Sequence, residues 1–306
     1  TINRLPVLLL PADTFATRAS APVLQELELP SSGDVTVNDA FKPVSRYFDR
    51  VWRPEQLPGA LLGAMRVLTD PAETGAATVA IPQDVQAEAF DWPESLFAER
   101  TWHVARPLPE RHVIAEAAEI IRSAKRPLIV AGGGVIYSGA TDSLAEFCSR
   151  TGIPVGQSQA GKGSLPYDHP QSVGAIGSTG TTSANALAAQ ADVVIGIGTR
   201  YSDFTTASRT AFTGDDVRFV NINVASLDSV KQGGYSVVSD AREAIDALDE
   251  LLADYRVDDA YREQVATLAR EWDDIVEAAY SPTAVGTNVA TGEEALTQGA
   301  VIGLVN

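Results

Sequence analysis

Residues 113–255 alternate short apolar runs with amphipathic helical stretches, and this alternation constrains the fold more than any other feature of the chain. Apolar runs of strand length fall at 127–131, 153–155, 192–197, 217–222 and 235–238. Helical patterns lie between most of them. The first, Val113–Ala124, has apolar residues at 113, 114, 117, 118 and 121, and the last is Ala241–Leu252. Short buried strands alternating with one-sided helices predict an α/β fold with a doubly wound parallel sheet. Three runs pass into glycine-rich segments: RPLIVAGGGVIYSGA at 126–140, GQSQAGKGSLPYDHP at 156–170 and DVVIGIGTRYSDF at 192–204. Glycines there allow close backbone approach, either to a nucleotide-like ligand or to a neighbouring element.

The flanking regions read differently. Residues 1–105 look like the end of a second α/β unit. Leu5–Leu10 is a continuous apolar run expected to form a buried strand. Pro54 opens a helix over Glu55–Leu68 with its stripe at Leu57, Leu61, Ala64, Met65 and Leu68. A further strand, Ala76–Ile81, is stopped by Pro82. RPLPERH at 106–112 reads as a linker. After it and the alternating region, residues 257–280 carry one long helical pattern (Tyr261, Val265, Leu268, Trp272, Ile275, Ala279). A polar stretch over 281–290 follows, and Thr291 to Glu294 predicts a capping box opening a last helix. The chain opens on Thr1 close to an apolar run and stops at Asn306 inside an apolar helical pattern. Both ends are therefore expected to be cut from a longer polypeptide.

A net charge of −17 over 306 residues argues against nucleic acid and anionic membrane as partners, because both require a cationic footprint. The single cysteine, Cys148, excludes an intrachain disulfide and suits a reducing cytoplasm; its apolar neighbours on a helix place it in the core. The run at 6–12 is too short to cross a bilayer.

Gly132, Gly133 and Gly134 begin GGGVIY, which fits G-x-G but lacks the third glycine of the dinucleotide fingerprint, and GIGTRY at 196–201 repeats the defect. Where a later strand would supply an acid for a ribose, RFVNINV at 218–224 offers Asn221 and Asn223. Tight structural turns are the main reading, with nucleotide binding as the alternative. GQSQAGK, ending in Lys162, approximates a P-loop, but Gly163 replaces the Mg²⁺-holding hydroxyl and Pro166 precludes a long helix. Ala160 spoils the same segment as a nucleophile elbow. His103, His112 and His169 are scattered, so no metal site is expected within this chain. Arg200 and Asp203 lie just beyond a strand's carboxyl end, where open α/β sheets place ligands. Lys42 and Arg46 sit in a loop-like segment, NDAFKPVSRYFDR at 38–50, dense in aromatic and basic residues. Surface ion pairs are the alternative for all four.

Six collinear segments resemble thiamine-diphosphate-dependent enzymes of the acetolactate synthase superfamily. They are PVLLLPADTFATR at 6–18, NDAFKPVSRYFDR at 38–50, IPQDVQAEAFDWP at 81–93, GKGSLPYDHP at 161–170, GSTGTTSAN at 177–185 and GTRYSDFTT at 198–206. Within that superfamily the chain is most similar to the inositol-catabolism hydrolases that open trihydroxycyclohexane-1,2-dione by C–C cleavage. The resemblance implies three α/β domains in the full-length protein. Residues 1–105 would be the C-terminal part of a pyrimidine-binding domain, 113–255 a Rossmann-like middle domain, and 256–306 a connector helix and the start of a diphosphate-binding domain. It further implies thiamine diphosphate and Mg²⁺ as cofactors, a homodimer or larger homo-oligomer, and a cytoplasmic setting.

The cofactor-activating glutamate and the diphosphate motif find no counterpart in these residues, so none here is assigned a catalytic role. The 306 residues alone are expected neither to bind the cofactor tightly nor to turn over the dione. Lys42, Arg200 and Asp203 become substrate-contact candidates. Gly132, Gly133, Gly134 and Lys162 become nucleotide-like site candidates. In flavin-containing relatives a strand-end acid helps to hold FAD; Asn223 in its place makes FAD unlikely. Two alternatives stand beside this reading: an acetolactate synthase-like 2-oxo-acid decarboxylase or ligase, and a non-catalytic nucleotide-binding module.

Overall fold

The computed structural model describes residues 3–19, 21–214 and 216–305; Thr1 and Asn306, on which the reading of the chain ends relied, lie outside them. The chain divides into two compact units, Thr1–Ala105 and Arg106–Asn306.

In the first unit, strands β1 (Leu8–Leu9), β2 (Ala12–Asp13) and β3 (Tyr47–Arg50) all pair in parallel with β4 (Ala77–Pro82). Helix α1 (Leu57–Leu68) packs on β3 and β4 through its small-residue face, Ala60, Gly63 and Ala64. Leu5–Leu10 is not the buried strand its hydropathy suggests. Pro6 and Pro11 lack N–H donors, so pairing is confined to short pieces along one edge of β4. Leu5 and Leu10 are left about half exposed, at 48% and 56%. The segment at 38–50 is not a loop either, since it holds most of a 3₁₀ helix (Val37–Val44) and all of β3.

Asp84, just past β4, ties residues 16–17 down. Its carboxylate accepts hydrogen bonds from the Ala16 and Thr17 N–H groups, both at 2.9 Å, and from the Thr17 hydroxyl at 2.6 Å.

The second unit contains α2 (Arg111–Arg122), β5 (Pro127–Ala131), α3 (Gly133–Tyr137), α4 (Thr141–Thr151), β6 (Val155–Gln157), β7 (Ser172–Ala175) and α5 (Thr182–Gln190). Then come β8 (Val193–Ile197), α6 (Asp203–Thr206), β9 (Arg218–Asn223), α7 (Ser226–Ser229), β10 (Tyr235–Val238), α8 (Ala241–Leu251) and α9 (Asp259–Tyr280). The six strands form one parallel sheet in the order β10-β9-β8-β5-β6-β7. The chain thus builds outward from β5 to β7, returns to β8 beside β5, and builds outward again to β10. This is the doubly wound order, with its reversal between β5 and β8. Every residue of both central strands is buried, as expected for strands covered on both faces. Against them pack Ile114, Ile121, Leu144, Phe147, Ile245 and Leu248 from α2, α4 and α8. On α9, the Tyr261 hydroxyl donates to the Pro127 carbonyl at 3.0 Å.

Strand β7 was not foreseen, because Ser172–Ala175 is short and interrupted by Gly174. The first residues of the supposed linker belong to this unit: the Arg106 guanidinium donates to the Ser138 carbonyl and bridges to Asp240 at 3.2 Å. Residues 281–297 are a hairpin of β11 (Val285–Thr287) and β12 (Glu294–Leu296), followed by α10 (Gln298–Val305). The expected capping box at 291–294 is overturned. Glu294 lies in a strand, and it is Thr297 whose hydroxyl accepts from Ala300 N–H at 3.1 Å. No helix among the described residues is long and apolar enough to cross a membrane.

Two predictions follow from these contacts. Gly177 has φ +100°, and a Cβ there would collide with the Phe204 carbonyl, whereas Gly163 has φ +90° with open space around it. Gly177→Ala should cost more than about 2 kcal/mol and Gly163→Ala about 1, read as midpoints of urea denaturation. Equal costs would mean that the close approach at Gly177 carries no weight. For Asp84, burial alone would raise the pKa, but the Thr17 hydroxyl and the Ala16 and Thr17 N–H groups outweigh it and hold the value at about 2, below the ordinary 3.8. The folded state therefore binds fewer protons than the unfolded one. Asp84's contribution is complete above pH 3.8 and is lost as pH falls toward about 2. With solvent screening the loss should be of order 1 kcal/mol. It should be absent in Asp84→Asn, as measured by denaturation across that pH range.

Candidate functional site

Chemistry-bearing side chains gather at the carboxyl edge of the sheet in each unit. In the first unit, β2 ends on Asp13 and β3 ends on Arg50. Asp13 is fully buried, and the Arg50 Nε donates to it at 2.5 Å. The same guanidinium donates to the Thr36 hydroxyl at 3.0 Å and to Asp39 at 3.1 Å. Asp39 also accepts from the Thr36 N–H and pairs with Lys42 Nζ at 2.6 Å. Burial would raise its pKa, but Lys42, the Thr36 N–H and Arg50 together hold it below the usual carboxylate value. Asn38 closes the group by donating to the Ala12 carbonyl at 2.7 Å. Lys42 is half exposed at the rim, 5.3 Å from the Phe48 ring. Arg46 instead pairs with Glu73 at 3.3 Å.

Arg50 and Asp13 were missed in the sequence because 37 residues separate them. Only the parallel pairing of both strands with β4 brings them together.

In the second unit the reversal point between β5 and β8 is closed by backbone. Gly132 N–H donates to the Ile197 carbonyl at 2.8 Å and Gly134 N–H to the Gly198 carbonyl at 3.1 Å. Gly198 N–H in turn donates to Ile222 at 2.8 Å. A Cβ on Gly134 would lie 2.6 Å from Gly198 Cα, so these glycines are required by the fit of one loop against the other. Gly133 faces Ala160, and Lys162 follows a single 3₁₀ turn (Gln159–Gly161) with its side chain exposed.

The two asparagines of β9 bind protein groups. Asn223 donates to the Thr199 carbonyl at 3.0 Å and accepts from Ala225 N–H. Asn221 accepts from the Tyr201 hydroxyl at 3.0 Å and donates to the Lys231 carbonyl at 2.7 Å. Strand order makes β6 the neighbour of β5 on the other side, and its last residue, Gln157, likewise binds Gly163 N–H and the Leu165 carbonyl.

Arg200 and Asp203 flank the start of α6. Lys231 Nζ donates to the Arg200 carbonyl at 2.9 Å while pairing with Asp228 at 2.6 Å. Asp203 is exposed and accepts from the Ser208 hydroxyl at 3.1 Å. Lys42 belongs to the first unit, whereas Arg200 and Asp203 belong to the second. Cys148 is fully buried, and burial pushes its thiol up to about 12, so it is inert as a nucleophile. Among the described residues no three His, Cys, Asp or Glu side chains converge as a metal site.

Arg50→Met should strand Asp13 as a buried charge and cost about 3 kcal/mol or more. The double variant Arg50→Met/Asp13→Asn should recover part of that loss, measured as a double-mutant cycle in guanidinium. Additive losses would show that the pair is not coupled.

Three comparisons bear on what this arrangement belongs to. Residues 114–248 match the family described as thiamine pyrophosphate enzyme, central domain. The 3D-(3,5/4)-trihydroxycyclohexane-1,2-dione hydrolase of Geobacillus thermodenitrificans is 45% identical over 323 aligned positions, covering 100% of this chain and 50% of the relative. The protein of the same name from Shouchella clausii is 48% identical over 270 positions, covering 88% and 42%. The chain spans about half the length of the curated relatives it matches. A solved structure from Mycobacterium smegmatis, described as thiamin diphosphate-dependent, superposes with a TM-score of 0.64 at 24% identity. It covers 83% of this chain and 46% of its own, and supports the α/β fold.

Proposed function

We propose, for a chain whose residues 114–248 belong to the thiamine pyrophosphate enzyme central-domain family, that the whole protein is a thiamine-diphosphate- and Mg²⁺-dependent hydrolase. Its substrate would be trihydroxycyclohexane-1,2-dione, opened by C–C cleavage in the cytoplasm during inositol catabolism, by a homodimer or larger homo-oligomer. The observation that carries this is the 45% identity to a dione hydrolase across the entire chain. In that protein residues 1–105 would complete the pyrimidine-binding domain, 113–255 form the middle domain, and 256–306 lead into the diphosphate-binding domain.

The described residues do not fit a metal–diphosphate anchor. They offer no converging acidic group, and Asp13, Asp39 and Asp228 are engaged by Arg50, Lys42 and Lys231. The cofactor, when bound, supplies the carbanion chemistry; this chain supplies orientation and charge. Arg200 would donate to the oxygens of the polyhydroxylated dione and to the carboxylate that forms from it; Lys42, in the first unit, is a separate substrate-contact candidate. Asp203 would accept from ring hydroxyls. The Lys231 ammonium on the Arg200 carbonyl holds that loop in place, so Arg200 reaches substrate from a fixed backbone. Gly132, Gly133 and Gly134, with Lys162 beyond them, read as a structural seam, because the N–H groups of Gly132 and Gly134 are already bonded to carbonyls of the β8 edge.

The test is ring opening of the dione by the natural full-length protein with thiamine diphosphate and Mg²⁺. Arg200→Ala should raise KM about 10-fold or more with a smaller change in kcat. Inert dione together with consumption of pyruvate would replace this reading with an acetolactate-type one.

A further inference from the structure

A cavity of ≈ 520 Å³ opens in the second unit beside the segment that follows β8, lined by Tyr201, Asp203, Thr206, Arg209, Lys231 and Gln232. Its backbone is strained. Three of these lining residues hold left-handed conformations without being glycine: Tyr201 at φ +48°, Arg209 at +69° and Gln232 at +59°. Ala207 and Ser208, between them, do so as well, at +46° and +53°. For a residue as bulky as tyrosine such a φ is a genuine outlier. Each costs on the order of 1–3 kcal/mol and persists only where its surroundings over-determine it.

Those surroundings are visible. The Tyr201 hydroxyl is held by Asn221, and its ring stands edge-on to Phe212 and Phe219 at 6.3 and 5.7 Å. Arg209 N–H donates to the Thr206 hydroxyl at 3.2 Å, and that hydroxyl donates back to the Ser202 and Asp203 carbonyls. A loop pinned in this way keeps its shape before any ligand arrives.

The polar lining fits one class of ligand. Arg209 brings a guanidinium, which suits a planar carboxylate or a phosphate. Lys231 brings a second positive charge, fixed by Asp228 at 2.6 Å and the Arg200 carbonyl at 2.9 Å. The Lys231 charge is offset by Asp228, so Arg209 carries the cationic character of the lining. Asp203, also on the wall, accepts hydrogen bonds and so favours a hydroxyl beside the anionic group.

We propose that this cavity binds a small oxyanion, a carboxylate or phosphate carried by a compact polar molecule, with Arg209 as its principal contact and the Lys231 ammonium as a second hydrogen-bond donor. The site adjoins the substrate contacts proposed above and shares Lys231 with them. Asp203 belongs to both, but Arg209 belongs to this cavity alone, so Arg209 variants separate the two.

The experiment is calorimetric titration of the natural full-length protein with sodium gluconate and with sodium phosphate, against sodium chloride at matched ionic strength. At least one oxyanion should bind with Kd below about 1 mM, and the stronger of the two identifies the ligand class. Arg209→Ala should weaken binding about 10-fold or more, and Arg209→Lys should retain part of it. Arg209→Asn should also lose affinity while raising the ligand-free Tm, since asparagine tolerates the left-handed backbone. That opposite movement of stability and affinity is not expected of a residue with a purely structural role. Binding of neither anion above chloride at about 10 mM, or unchanged binding by Arg209→Ala, would overturn the proposal.

Discussion

The second unit depends on one close contact, the approach of Gly132 and Gly134 to Gly198 across the reversal between β5 and β8. A doubly wound sheet leaves a crevice there, and in this chain backbone fills it. Gly132 and Gly134 donate to Ile197 and Gly198, and Gly198 donates onward to Ile222, so the chain of hydrogen bonds runs from β5 through β8 to β9. Asn223 extends it by gripping the Thr199 carbonyl. The seam feeds the segment Arg200 to Arg209, within which Tyr201, Ala207, Ser208 and Arg209 hold left-handed backbone, as Gln232 does beyond it.

Each unit thus presents a polar carboxyl edge of different character. In the first, a partly buried arginine organises carboxylates: Arg50 joins Asp13, Thr36 and Asp39, and leaves Lys42 at the rim. Removing two charges from water is costly, and here Asp13 also accepts from Thr14 N–H while Arg50 also donates to Thr36 and Asp39. In the second, uncharged amides do the organising. Asn221, Asn223 and Gln157 occupy the inner positions at or near strand ends, and the charged groups Arg200, Asp203, Arg209 and Lys231 stand outside them.

The sequence made the sheet legible where burial is two-sided. β5 and β8 are continuous apolar runs, and the stripe of α2 matches its buried face; that of α9 holds over its first turns, where Tyr261 and Val265 are buried, but not at Ile275 and Ala279, which are exposed. Legibility failed where hydropathy and burial part company. Leu5–Leu10 is as apolar as a core strand, yet its prolines confine it to an edge; Ser172–Ala175 is a true strand with almost no apolar signal. The site divides in the same way. The asparagines of β9 could be read directly as amides standing where a ribose-binding acid would be, because that reading needs only local sequence. The Arg50–Asp13 pair could not, since it exists only through the register of two strands on a third. The strain around Arg209 was also beyond reach, because nothing in TTASRT at 205–210 signals a left-handed run.

The most direct test of this account is native-state hydrogen exchange at the amides of Gly132, Gly134 and Gly198, with and without added ADP. If the reversal point is a structural seam, all three should exchange only through large-scale opening, at rates that ADP leaves unchanged. Fast exchange in the free protein, slowed when ADP is added, would contradict it and make the glycine turn a nucleotide cradle.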